Sequence, residues 1–167
     1  MQLGVPTEIK AQEFRVGMTP AGARELVGAG HSVLIESGAG DAIGLTDDLY
    51  RAAGALVVET AEQVFAESDM IVKVKEPQPH ECRQLRPEQL LFTYLHLAAD
   101  PMQAELLINS GATCIAYETI TSPQRGLPLL APMSLVAGRL SVQAGAHHMD
   151  LHQGGNGTLL GGVPGVA

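Results

Sequence analysis

Short apolar runs alternate with helix-forming segments along most of the chain. Thr19-Pro20 and Asp100-Pro101 each join an N-cap to a proline at the first helical position, and residues 60–63 form a capping box. The predicted strands cover residues 3–8, 32–36, 56–58, 70–75, 90–94 and 113–117, and the predicted helices cover 20–29, a short stretch after Thr46, 60–67 and 101–109. This alternation indicates an α/β fold of Rossmann-like or flavodoxin-like type, a mostly parallel sheet with helices on both faces.

The pattern changes after a loop at residues 122–132. From 132 to 152 the apolar positions recur at helical spacing, which predicts one long helix. Glycine-rich residues 154–165 follow. We therefore expect an N-terminal domain over residues 1–130, and over 131–167 a connector helix leading into an unfinished segment.

Composition narrows the possible functions. A length of 167 residues allows one domain, or one domain and part of another. The net charge of −8, the absence of a basic run and the 4% aromatic content without tryptophan argue against nucleic-acid binding. Cys82 and Cys114 show no metal-ligand spacing, no apolar run reaches the roughly 20 residues of a membrane span, and no signal peptide opens the chain. We expect a cytoplasmic protein with reduced thiols.

Three candidate site residues follow the ends of predicted strands. Arg15 lies in the loop after the first strand, Lys75 ends the fourth, and His96 comes directly after the fifth. Ligands of open α/β sheets bind at the carboxyl ends of strands. Two cations and a histidine, which exchanges protons near neutral pH, suit a small 2-oxo or 2-amino acid.

Each candidate also has an ordinary structural interpretation. For Arg15 the alternative is a solvated loop charge, the commoner case for a single arginine, and for His96 it is a histidine that only satisfies its loop. Lys73 shares a strand face with Lys75, and for Lys73 we favour an edge lysine that reaches solvent along its aliphatic stem. Glu118, after the sixth strand, is either an orienting partner for a basic group or a solvated acid.

Two further patterns carry no site. His148 and His152 lie four residues apart, but no acidic residue completes a His-Glu-x-x-His motif, so we predict no metal site there. The glycines at 154–165 do not form Gly-x-Gly-x-x-Gly, and no acidic residue follows at the required distance. We therefore predict no dinucleotide loop in that segment.

Several segments, in this order, resemble the N-terminal part of the alanine dehydrogenase family. They are 4–9 (Gly-Val-Pro-Thr-Glu-Ile), 14–16 (Phe-Arg-Val), 19–20 (Thr-Pro), 72–77 (Val-Lys-Val-Lys-Glu-Pro), 91–100 (Leu-Phe-Thr-Tyr-Leu-His-Leu-Ala-Ala-Asp), 116–119 (Ala-Tyr-Glu-Thr), 127–134 (Leu-Pro-Leu-Leu-Ala-Pro-Met-Ser), 136–139 (Val-Ala-Gly-Arg) and 160–166 (Leu-Gly-Gly-Val-Pro-Gly-Val).

The resemblance implies a function for these residues. The family oxidises L-alanine to pyruvate and ammonia with NAD, reversibly and usually as hexamers. Arg15 and Lys75 would bind the substrate, His96 would donate or accept the proton, and Ser134 would contact NAD. By the same resemblance, residues 1–130 are the substrate domain, and 131–167 are the connector and the start of an NAD-binding domain that is otherwise missing.

Two departures qualify the resemblance. Leu135 stands where the family usually has an acidic residue, and the chain ends about where the NAD-binding domain would begin, as in a fragment. Two other functions therefore stay open. One is an NAD(P) transhydrogenase-like domain, which the joint presence of Lys75-Glu-Pro and Tyr94-Leu-His disfavours. The other is a non-catalytic product of a truncated gene.

Overall fold

A computed structural model describes residues 1–124 and 126–166. The chain divides into two compact units, Met1–Thr119 and a second that begins at Ile120. The first contains a six-stranded parallel sheet in the order β3-β2-β1-β4-β5-β6. Its strands are β1 Gln2–Val5, β2 Ser32–Glu36, β3 Leu56–Val58, β4 Met70–Val72, β5 Leu90–Thr93 and β6 Thr113–Ala116. All six predicted strands and the α/β architecture are confirmed.

The helices lie between the strands as the caps predict. In the first unit they are α1 Pro20–Gly28, α2 Asp47–Ala52, α3 Ala61–Glu67, α4 Pro79–Cys82 and α5 Pro101–Ser110. The Thr19 and Thr60 hydroxyls accept hydrogen bonds from the backbone of Gly22 and Gln63, and the Asp100 carboxylate accepts one from Gln103. The short helix α4 was not predicted, because prolines at 77 and 79 indicate a loop.

Two apolar clusters pack against the sheet. In one cluster, Leu3, Val33 and Val72 of the strands pack with Tyr50 of α2 and with Ala53, which follows that helix. The other is made by Val64, Phe65, Ile71, Leu91, Leu107 and their neighbours, and includes residues of α3, α4 and α5. Because successive strand residues point to opposite faces, Ile71 and Val72 contribute to different clusters. The helices therefore cover both faces of the sheet.

β1 and β4 are shorter than predicted, and a side chain explains why β4 ends early. The strand order reverses between these two neighbours, which is where open sheets place their ligands. The Glu8 carboxylate accepts the backbone N–H of Val74 at 2.6 Å and, more weakly, that of Lys75 at 3.4 Å. These amides therefore bond to a side chain instead of extending the ladder with β1.

The second unit contains α6, Ala131–Met149, followed by a 3₁₀ turn, Leu151–Gln153. The predicted long helix is confirmed in position, but its regular part ends three residues early because Asp150 adopts an extended conformation. Among the described residues, no helix is both long and apolar enough to cross a membrane.

Candidate active site

The basic residues predicted for the site lie in the first unit, at the carboxyl ends of the strands. Arg15 and Lys75 line one open depression, together with Lys10, Glu13 and Phe14. Lys10 pairs with Glu76 at the same end of the sheet. Within the described chain, the Lys75 ammonium has no ion-pair partner, so it is the cation of this set with most to gain from an added carboxylate.

Glu13 holds the Arg15 guanidinium in place. Arg15 donates from Nε to Glu13 Oε1 at 2.7 Å and from Nη2 to Glu13 Oε2 at 2.5 Å. The hydrogen bond from Arg15 lowers the pKa of Glu13 to about 2, and the charge of Lys75 contributes. Glu13 is therefore an anion at neutral pH and fixes the orientation of the guanidinium. The sequence analysis did not single out Glu13, because acid and base two residues apart in a loop have no fixed relation.

The main chain of Lys75 is fixed from two neighbouring parts of the sheet. Its N–H faces Glu8, and its carbonyl accepts a hydrogen bond from the Thr93 hydroxyl at 2.9 Å. Lys75, which lines the same depression as Glu13 and Arg15, is therefore presented from an anchored backbone.

Lys73 is not the solvent-reaching lysine that the sequence suggested. Its side chain is 1% exposed, and its Nζ lies 2.7 Å from Glu81 Oε1 and 3.3 Å from Glu8 Oε2. β4 is an interior strand between β1 and β5, so a lysine at its end cannot reach water along its stem. A cation buried in this way needs carboxylates around it.

His96 immediately precedes a 3₁₀ turn, Leu97–Ala99, and lies in the short segment after β5 in a left-handed conformation with φ 51°. The Glu118 carboxylate accepts the backbone N–H of His96 at 2.7 Å and that of Leu95 at 3.0 Å. Partial burial tends to raise the pKa of Glu118, but these amides lower it below its ordinary value. These bonds argue against the solvated acid of the two alternatives for Glu118; the carboxylate holds the His96 backbone, and a role as orienting partner of a basic side chain stays a prediction.

Tyr94 lies between the two groups of candidate residues, and the sequence analysis missed it. Its ring is parallel to the imidazole of His96, with centroids 5.9 Å apart, and meets the ring of Tyr117 edge-on at 4.9 Å. Burial raises the pKa of Tyr94, while the charge of Arg15 acts in the opposite sense. The alternation of Phe92 and Tyr94 along one strand face was the available signal.

His96 itself lines a second depression, which is mainly apolar. Leu95, Leu97, Ala116 and Glu118 are among its other lining residues. The structure thus places Arg15 and Lys75 together and His96 in a separate depression, with Tyr94 in contact with the imidazole and close enough to Arg15 to feel its charge.

Ser134 belongs to the second unit. It lies in the first turn of α6, where its backbone N–H donates to the Leu130 carbonyl at 3.1 Å. The glycine-rich segment follows the turn Leu151–Gln153 and not a strand, so it lacks the strand–loop–helix context of a pyrophosphate cradle. The contact of Ser134 with a dinucleotide stays a prediction.

The histidines of the second unit form no metal cluster in the described part of the chain. His147 and His148 meet edge to face, with ring centroids 5.3 Å apart. No group of three or more histidine, cysteine, aspartate or glutamate side chains is arranged there, or elsewhere among residues 1–124 and 126–166, to hold a metal ion.

A family model described as "Alanine dehydrogenase/PNT, N-terminal domain" matches residues 4–137. The chain is 56% identical to an alanine dehydrogenase of Halomonas elongata, over 100% of this chain and 45% of that protein. It is 55% identical to an alanine dehydrogenase of Mycobacterium tuberculosis, over 99% of this chain and 45% of that protein. It thus spans less than half the length of these curated relatives.

Two solved structures resemble this chain to different degrees. A structure described as L-alanine dehydrogenase matches with a TM-score of 0.89 and 56% identity, over 99% of this chain and 46% of that one. A transhydrogenase from Sinorhizobium meliloti matches with a TM-score of 0.67 and 26% identity, over 72% of this chain and 37% of that one. The transhydrogenase is therefore the more distant neighbour.

Proposed function

Because this chain belongs to the alanine dehydrogenase/PNT N-terminal-domain family, we propose that it supplies the substrate-binding part of an NAD-dependent L-alanine dehydrogenase. The reaction would be the reversible conversion of L-alanine, water and NAD⁺ to pyruvate, ammonium, NADH and a proton. Under this proposal residues 1–130 are the substrate domain, and residues 131–167 connect it to an NAD-binding domain.

The observation that carries the proposal is the placement of two cations at the switch point of the sheet. Arg15 is oriented by Glu13, and Lys75 adjoins them without an ion-pair partner among the described residues. A guanidinium recognises the planar carboxylate of a small acid, and a nearby ammonium stabilises a second oxygen. Arg15 therefore binds the substrate carboxylate, and Lys75 stabilises the developing carbonyl oxygen of the product.

His96 supplies the proton transfer in this proposal. As a neutral base, its imidazole accepts a proton from the reacting substrate or from the water that adds to it, and in the reverse reaction it returns that proton. Tyr94 stacks against the imidazole, and Glu118 fixes the backbone that presents it. When bound, NAD supplies the hydride acceptor, and Ser134 is the residue of this chain proposed to contact it.

The remaining properties come from the family and are part of the same proposal. A polypeptide of the relatives' full length is expected to work in the cytoplasm as a homo-oligomer, a hexamer in the family. Since Ser134 is the one residue of this chain that we propose to contact the cofactor, we expect the purified 167-residue chain to show no alanine-dependent NAD reduction. A steady rise in NADH absorbance with alanine and NAD⁺ would contradict that expectation.

Calorimetric titration of the 167-residue chain with pyruvate tests the binding role. We expect saturable binding that Arg15→Ala weakens by about tenfold or more, since the carboxylate loses its forked partner. Arg51→Ala is the matched control, because Arg51 lies on α2 and pairs with Asp48 at the surface. Absence of binding, or equal binding by the Arg15 and Arg51 variants, would contradict the proposal and favour a non-catalytic product.

A further inference from the structure

We propose that Lys73 is a positioning residue: its buried ammonium fixes the Glu8 carboxylate, and Glu8 in turn fixes the main chain that presents Lys75 to the substrate. This inference deepens the proposed function and rests on it. It concerns three charged side chains, Glu8, Lys73 and Glu81, which we call the buried triad; the positioning role belongs to Lys73 and Glu8.

The buried triad is withdrawn from solvent. The side chains of Glu8, Lys73 and Glu81 are 2%, 1% and 3% exposed. One cation between two carboxylates leaves a net negative charge, and burying such charges is costly unless further donors satisfy them. The backbone N–H of Val74 donates to Glu8 and that of Gln78 to Glu81, at 2.6 Å and 2.8 Å.

The triad is directly connected to Lys75. One oxygen of Glu8, Oε2, faces the Lys73 ammonium, while the other, Oε1, accepts from Val74 and lies 3.4 Å from the Lys75 nitrogen. The Tyr117 hydroxyl donates to the Lys73 carbonyl at 2.9 Å. Side chains from the segment after β1, from β5 and from the turn after β6 therefore hold residues 73–75, and Glu8 is the charged one.

Glu8 also acts on the second cation of the site. The pKa of Arg15 is raised chiefly by its hydrogen bond to Glu13, and the charge of Glu8 adds to that effect. Loss of the Lys73 ammonium would free the Glu8 carboxylate to move, and so would disturb both cations together. A displacement of about 1 Å in a positioned group is enough to impair a site.

A purely structural role predicts a different outcome, and a set of variants separates the two. Lys73→Met removes the cation and leaves two buried carboxylates facing each other. Lys73→Met/Glu81→Gln also removes one of those charges while keeping an acceptor for the Gln78 N–H. Glu81→Gln alone keeps the Lys73–Glu8 pair, and Arg51→Ala is a control for loss of a surface cation.

Three quantities would be measured on each folded variant of the 167-residue chain: the pyruvate Kd, the urea unfolding midpoint and the exchange rates of the Val74 and Lys75 amides. We expect Lys73→Met to weaken pyruvate binding about tenfold and to speed exchange of both amides by a similar factor. The double variant should regain stability but not binding. Glu81→Gln should bind pyruvate as the unmodified chain does.

Two results would overturn the inference. One is a folded Lys73→Met chain with unchanged Kd and unchanged amide exchange. The other is a double variant that regains binding together with stability, which would make the role of Lys73 structural only. If Lys73→Met does not fold, the pyruvate Kd and the amide exchange of the double variant decide between the positioning and the structural role.

Failure of the proposed function would be seen separately. An unmodified chain that does not bind pyruvate would refute the substrate role. The positioning role would then be decided by amide exchange: faster exchange at Val74 and Lys75 in the double variant supports it, and unchanged exchange refutes it.

Discussion

The Glu118 carboxylate holds the main chain of His96 in a left-handed turn, with Oε1 2.7 Å from the His96 backbone nitrogen. Residues other than glycine adopt this conformation infrequently and at a cost in free energy. The imidazole is thus presented beyond β5 by a backbone that a carboxylate from beyond β6 keeps in place. The same carboxylate also accepts the Leu95 N–H.

Glu118→Ala should therefore destabilise the His96 turn. Loss of hydrogen bonds to a charged acceptor is expected to lower the free energy of unfolding by about 1–3 kcal/mol. Urea denaturation gives the stability, and amide exchange at residues 95 and 96 locates the change. Glu105→Ala, at an exposed position on α5, is the control. Equal stability of the two variants would show that Glu118 does not hold the turn.

The Glu13–Arg15 pair predicts a specific dependence of stability on pH. The folded-state pKa of Glu13 is about 2, below its ordinary value of 4.5. A lowered acid pKa stabilises the folded state above the unfolded-state value, and that contribution is lost as pH falls through the folded-state value. The stability difference between the unmodified chain and Glu13→Gln should be constant from pH 6 to 8 and shrink between about pH 4.5 and 2. Urea unfolding across that range tests it; a difference that grows on acidification would contradict the pairing.

Gly4 allows α3 to approach β1 closely. A Cβ at position 4 would lie 2.7 Å from Val64 Cγ1, whereas one at Gly28, on α1, would meet nothing within 4 Å. Gly4→Ala should cost about 1–3 kcal/mol of stability through overpacking, and Gly28→Ala should be neutral or slightly stabilising. Thermal or urea unfolding of both variants tests the contrast. Similar stability of the two would mean that the sheet and α3 do not pack as described.

The sequence predicted those features that depend on local pattern. The six strands follow from short apolar runs, and the helix starts at Thr19, Thr60 and Asp100 follow from cap chemistry that operates within three residues. Arg15 and Lys75 were expected to meet because both follow parallel strands, and the structure places them in one depression.

Features that depend on distant side chains could not be predicted in the same way. Glu8 and Lys73 are 65 positions apart, and only the adjacency of β1 and β4 makes them partners. Without that adjacency, a lysine near a strand end is most simply an edge residue, so Lys73 was misassigned. Tyr94 was missed because an aromatic residue after an apolar run is usually part of the core.

The central claim is that this chain is the substrate-binding part of an alanine dehydrogenase. A chimera, in which this chain replaces the matching part of a full-length relative, tests that claim most directly. This chain would replace the matching 45% of the Halomonas elongata alanine dehydrogenase, and alanine-dependent NAD reduction would be measured. We expect the chimera to be active and its His96→Ala variant to lose about 10²-fold or more in kcat, since proton transfer loses its base. A folded chimera without alanine-dependent NAD reduction, or one whose rate is unaffected by His96→Ala, would contradict the claim.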